Sequence, residues 1–203
     1  MKRRVVLDPA VRRTQILDAA TSVFARRGYR NATISHVIAR AGIARGTFYL
    51  YFTSKEQVFL AIVERFYNEV QSALESVPPS PNVPAGGARD LLRVSFRSWL
   101  GFFAAHRETA IVILREATSI DPRFEKGLAS LRALAHDHFA ARIRHLQSIG
   151  AARSSVSADL VAHLQLGMFD ELLNAYVLKS PGVDLDELAA QLADFEWFGI
   201  APE

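Results

Sequence analysis

Apolar residues recur at helical spacing along almost the whole chain. Ile16, Ala19, Ala20, Val23 and Phe24 share one face of a predicted helix over 11–27, and Gly28 ends it. Thr33 is a side-chain cap for a second helix that closes at Ala41-Gly42. A short third helix is predicted over 45–52, and Ser54 caps a fourth that runs to about residue 77. Residues 77–87 then carry four prolines and two glycines, so no helix crosses them. Past this loop the pattern predicts helices over 89–105 and 107–118. Three more follow over 122–150, 158–178 and 185–198, with Asp121-Pro122 as cap and first helical residue of the first of them. No run of alternating β-branched residues reaches strand length. The expected class is all-α. A small N-terminal three-helix domain over 1–55 (with 1–10 as a flexible arm) precedes a larger helical domain over 56–203.

Charge divides the chain at the same place. Residues 1–55 hold 11 Lys/Arg against 2 Asp/Glu, a net +9, while 56–203 hold 13 against 19, a net −6. A basic head on an acidic body suits a polyanion partner for the head alone. The chain has no cysteine, which removes disulfides, thiolate metal sites and thiol nucleophiles. No apolar run approaches the roughly 18 residues of a membrane span, and no long apolar stretch follows Lys2, Arg3 and Arg4. A cytoplasmic protein without a membrane partner is the expectation.

The chemistry concentrates in residues 33–55. Two short helices meet at Ala41-Gly42-Ile43-Ala44, where Gly42 supplies the backbone freedom of a tight turn. That arrangement inside a basic three-helix unit is the helix-turn-helix pattern. Ile34, Val37, Ile38 and Ile43 are the expected contacts fixing the angle between the helices. Arg45 opens the third helix, where a guanidinium meets base edges and can bond both acceptors of a guanine. Gly46 lets the backbone approach the groove, and Thr47, Tyr49 and Tyr51 offer hydroxyls to phosphate oxygens. Lys55, at the start of the fourth helix, sits where free N–H groups also favour a phosphate. With Thr33, these are the expected DNA-contacting residues, and double-stranded DNA is the expected partner.

The residues Thr33, Ala41, Gly42, Gly46, Thr47, Phe48, Tyr49, Tyr51, Phe52, Ser54, Lys55 and Glu56 fall in a pattern that resembles the signature of the tetracycline-repressor (TetR/AcrR-like) family. Ile16 to Ala20, Phe24 and Gly28-Tyr29 are similar to its first helix. The resemblance covers roughly 14–58. Three positions depart from it: His36 stands where an acidic residue is common, Ile38 where Ala is, and Ala44 where Ser is. Ala44 cannot cap the third helix, and a lost cap costs about 1 kcal/mol.

The resemblance implies a ligand-responsive repressor, not an enzyme, with two tasks for the larger domain. One is homodimerisation through the last two long helices. There, Leu160, Leu164, Gly167 and Met168 fall near one face of 158–178, and Leu188, Leu192 and Phe195 on one side of 185–198. The other is a pocket for a small apolar or amphipathic effector, with Phe96, Trp99, Phe103 and Phe139 as walls. His106, Asp170 and Asn174 are its candidate polar groups. No catalytic triad is defensible from spacing. His138 and His145 stand two turns apart with Arg142 between them, too far for one ion, so no metal or cofactor is expected.

Overall fold

A computed structural model describes residues 8–76, 87–120, 122–179 and 182–201, with side chains except at 115–124 and 127. The arm residues Lys2, Arg3 and Arg4 lie outside the described residues. All regular structure among the described residues is helical. The order is α1 (Pro9–Arg27), α2 (Ile34–Ala41), α3 (Arg45–Tyr49), α4 (Lys55–Ser76), α5 (Gly87–Ala105), α6 (Arg107–Ile120), α7 (Pro122–Ser148), α8 (Ala158–Leu172) and α9 (Leu185–Ile200).

Local chemistry sets most of these boundaries. α1 starts two residues ahead of the expected Val11, because the Asp8 carboxylate accepts from the Ala10 and Val11 N–H groups and Pro9 takes the first helical position. Gly28 ends it with φ +73°. Ser54 caps α4 through a 3.0 Å bond from the Gln57 N–H, and Asp184 caps α9 through the Asp186 and Glu187 N–H groups, both at 3.0 Å. α8 ends before the expected residue 178. It passes into a single wide turn over Leu173–Val177, closed by a five-residue bond from the Leu178 N–H to the Leu173 carbonyl at 2.8 Å. Arg107 donates to the carbonyls of Val177 and Leu178 and so satisfies the end of that turn.

The chain forms two compact units. The first holds residues up to Asn68 together with Glu108–Pro122, so α4 is shared between units and α6 belongs to the head. Its core is Ile16, Leu17, Val23, Phe24, Val37, Phe48, Phe52, Phe59 and Ile62, all buried. Burying each phenylalanine stabilises the unit by roughly 1.5–3 kcal/mol. Of the four residues expected to fix the helix angle, Val37 is buried while Ile34, Ile38 and Ile43 are half-buried. The second unit, Glu69–Arg107 with Arg123–Glu203, packs α5 antiparallel to α9. Ion pairs Arg89–Asp194 at 2.6 Å and Arg97–Asp186 at 2.8 Å mark that direction. Leu92, Phe96, Trp99, Leu100, Phe139, Ile143, Leu146, Phe169, Leu173 and Leu192 form its core.

Candidate functional site

The head is built around the turn between α2 and α3. Gly42 adopts φ +64°, ψ +35°; its N–H donates to the Ala39 carbonyl and the Ile43 N–H to the Ile38 carbonyl, both at 3.3 Å. This double closure needs a left-handed residue and explains the glycine. Gln15 of α1 reaches across and donates to the Ala41 carbonyl at 2.8 Å, tying the end of α2 to α1.

At the other end of α2, Thr33 and His36 form a reciprocal cap. The Thr33 hydroxyl accepts from the His36 N–H, and His36 Nδ1 accepts from the Thr33 N–H, both at 3.2 Å. Imidazole here supplies the acceptor that an acidic side chain gives in the usual capping box.

Helix α3 lasts only five residues, and Ala44 ahead of it makes no side-chain cap, as its methyl dictates. Phe48 and Phe52 anchor it from below and lie 6.1 Å apart. Its other face is open. Arg45, Gly46, Tyr49 and Leu50 are exposed, with Leu50 82% accessible. The Arg45 guanidinium lies 5.8 Å from the centre of the Tyr49 ring, one turn on, and makes no hydrogen bond among the described residues. A Cβ added to Gly46 meets no heavy atom within 4 Å, and its φ is not positive. Nothing within the described chain therefore calls for glycine there. Thr47 and Tyr51 are half-buried. Leu50 carries no sequence signal that separates it from the buried Phe48 and Phe52 beside it.

Lys55, expected on a phosphate, has intrachain partners of its own. Its ammonium donates to the carbonyls of Tyr29 at 2.7 Å, Ala32 at 2.9 Å and Arg30 at 3.4 Å, and stands 4.3 Å from the Tyr29 ring centre. All three donors of the amine are thereby used on the loop joining α1 to α2. Burial lowers the Lys55 pKa from its ordinary value. Tyr29 packs edge-on to Phe59 at 5.0 Å and to Phe24 at 5.4 Å. Its pKa is raised, first by burial and then by Glu56.

In the larger unit, part of the expected pocket comes together. Trp99 lies 5.9 Å from Phe139 and 6.5 Å from Phe103, with Phe169 at 6.4 Å from Trp99 and 5.6 Å from Phe103. Phe169 joins this group without having been singled out in the sequence. Phe96 is buried beside it on α5, and His106 stacks on Phe102 at 4.4 Å. The two remaining polar candidates turn elsewhere. Asp170 pairs with Arg132, and Asn174 is exposed and donates to the Asp170 carbonyl at 2.8 Å.

Of the expected dimer residues, Leu160, Leu164, Gly167 and Phe195 are exposed, and Met168 and Leu188 are half-buried. Leu192 is a correction. It is buried within the chain, on the same face of α9 as Ala189, Ala193, Glu196 and Ile200. Phe198, 79% exposed, stands with Phe195, 71% exposed, on the open side. Among the described residues no group of three or more His, Cys, Asp or Glu could hold a metal ion, and no helix is long and apolar enough to cross a membrane.

A family model described as "Bacterial regulatory proteins, tetR family" matches residues 16–62. The HTH-type transcriptional regulator EthR of Mycolicibacterium smegmatis is 28% identical over 183 residues, 89% of this chain and 82% of the relative. The fatty acid metabolism regulator protein of Bacillus subtilis is 24% identical over 187 residues, 92% of this chain and 94% of its own. The structure of ketosteroid transcriptional regulator KstR2 of Mycobacterium tuberculosis matches with a TM-score of 0.76 at 21% identity. It covers 98% of this chain and 100% of its own, a likeness of fold.

Proposed function

Because this chain belongs to the TetR family of DNA-binding transcriptional regulators, we propose that it is a homodimeric repressor whose two α3 helices read a palindromic operator. The observation that carries this reading is the unspent outer face of α3. A guanidinium, a hydroxyl, a bare backbone and a leucine are exposed there together, and the guanidinium makes no hydrogen bond among the described residues. Arg45 reads a base edge, and Gly46 allows the close approach. Tyr49, Thr47 and Tyr51 set the register on phosphates, Thr33 brings the capped end of α2 to the backbone, and Lys55 shapes the loop behind them. Leu50 meets the thymine methyl, the apolar feature of the major groove.

The exposed apolar side chains of α8 and α9 support the symmetric interface. The aromatic group around Trp99 supports a pocket for an apolar or amphipathic effector that lowers operator affinity. The work belongs to the cytoplasm, where the operator is. The domain division in this reading is a DNA-binding head and an effector-binding, dimerising body.

The test is operator selection by Arg45→Ala and Tyr49→Phe. Arg45→Ala relaxes base preference at one position of each half-site. Tyr49→Phe weakens binding to all sequences alike. An unchanged base profile for Arg45→Ala removes that residue from the reading role.

A further inference from the structure

Part of the head's basic charge lines a single hollow. Val23, Arg26 and Arg27 of α1 and His36, Ala39 and Arg40 of α2 line a groove of about 550 Å³. Arg26 and Arg27 stand in the last turn of α1, and Arg40 in the last turn of α2. All three arginines are exposed. Arg26 Nε donates to the Ser22 carbonyl at 3.1 Å, and this is the one hydrogen bond the three make among the described residues. No carboxylate lines the groove, and none among the described residues pairs with these arginines. His36 adds a further donor, because the cap of α2 fixes its tautomer. Its Nδ1 accepts from the Thr33 backbone N–H at 3.2 Å. A neutral imidazole that accepts at Nδ1 carries its proton at Nε2. That N–H has no partner among the described residues.

A cation in the last turn of a helix is favoured by the free carbonyls there, which accounts for each arginine singly. It does not account for three of them on one hollow, where like charges repel and no acid relieves them. An anion relieves them. The lining narrows its chemistry. Guanidinium forks match phosphate oxygens two bonds at a time, and the imidazole N–H adds a single donor. Val23 and Ala39 are the apolar part of the lining and Val23 is buried, so a hydrocarbon ligand has little to lie against. A water occupies about 30 Å³, so a groove of about 550 Å³ accommodates a run of sugar-phosphate backbone rather than one small ion. Its place points to the source. In a helix-turn-helix the helix ahead of the recognition helix crosses the DNA backbone, and here that helix is α2. His36 lies on its first turn, bonded to Thr33, and Arg40 follows one turn on. The groove thus continues from the capped end of α2 toward the last turn of α1.

We propose that the groove between α1 and α2 is a second phosphate-binding surface of the head, in which Arg26, Arg27, Arg40 and the Nε2–H of His36 hold DNA backbone outside the bases that α3 reads. This rests on the reading of α3 as the base-reading helix. Contacts of this kind add affinity and fix orientation without adding sequence preference.

The experiment measures binding of the full-length protein to a fluorescein-labelled random-sequence duplex by anisotropy across a KCl series. One phosphate per head contributes about 0.9 to the slope of log K against log salt, or about 1.8 for two heads. The triple change Arg26→Gln, Arg27→Gln and Arg40→Gln is expected to flatten the slope by at least about 1.8. The control Arg93→Gln, Lys126→Gln and Lys179→Gln removes the same charge from exposed positions of the larger unit. It is expected to stay within about 0.5 of the native slope. Ethylation interference on the duplex that the native protein selects then locates the contact. Phosphates outside the inverted repeat matter to the native protein and not to the head variant. An unchanged slope in the head variant, an equal loss in the control, or no interference outside the repeat overturns the groove and leaves the α3 reading standing. Sodium pyrophosphate that competes with DNA at micromolar concentration in the native protein, but not in the head variant, makes the groove a free-anion site and overturns the backbone assignment. A native protein that selects no duplex overturns the assignment together with the α3 reading. If the triple head variant does not fold by circular dichroism, Arg27→Gln and Arg40→Gln decide separately, each flattening the slope by about 0.9.

Discussion

Lys55 and Arg45 carry the same charge ten residues apart and have opposite fates. Arg45 rests on one ring and is otherwise open, whereas Lys55 is fully engaged by three carbonyls from a loop 23 to 26 residues behind it. The motif made both residues legible, but only three-dimensional placement separates an open guanidinium from an ammonium engaged within the chain. Spacing does not reveal which distant carbonyls lack donors. The same limit hid the exposure of Leu50, the place of Phe169 and the burial of Arg142, since hydropathy cannot distinguish an exposed leucine from a buried one or foresee a buried arginine. Lys55→Ala is therefore expected to destabilise the head by about 1–3 kcal/mol, because it orphans carbonyls that the amine satisfies. Urea denaturation checks this. An unchanged midpoint with a reduced salt dependence of DNA binding restores the phosphate role to Lys55.

Helices were the most legible level, because caps act locally. Thr33, Ser54, Gly28 and Gly42 end or begin elements where their side chains or left-handed backbones require. The departures come from longer reach. The wide turn at Leu173–Val177 inserts a residue into α8 without disturbing the apolar pattern that predicts a continuous helix. Leu192 falls on the buried face of α9 with Ala189, Ala193, Glu196 and Ile200, which periodicity alone does not separate from the open side that bears Phe195 and Phe198. The early end of α3 is a tightened last turn, in which the Leu50 and Tyr51 N–H groups donate to the Thr47 and Phe48 carbonyls three residues back. Ala44→Ser supplies a hydroxyl to the free N–H groups of α3 and is expected to raise stability by about 1 kcal/mol. A thermal or urea melt of the isolated change reads this directly, with base preference unaltered. A fall in stability shows that the Ala44 backbone does not suit a cap.

Across the whole molecule, two features visible in the sequence govern the account: the basic head on an acidic remainder, and more apolar surface on the last helices than one chain covers. Phe195 at 71% and Phe198 at 79% exposure keep that surface open in the single chain. Phe195→Glu is expected to convert a dimer to a monomer in sedimentation equilibrium while the helical circular dichroism signal remains. A wild-type protein that is already monomeric at micromolar concentration contradicts the interface. Dimerisation in turn dictates the form of the DNA site, since a two-fold protein presents its α3 helices to two equivalent half-sites. The central claim is thus tested most directly by selecting bound duplexes from a random pool with the purified protein and sequencing them. The expected result is an inverted repeat whose half-site centres lie on one face of the duplex, a whole number of turns of roughly 34–36 Å apart. No enrichment over a basic control protein contradicts it.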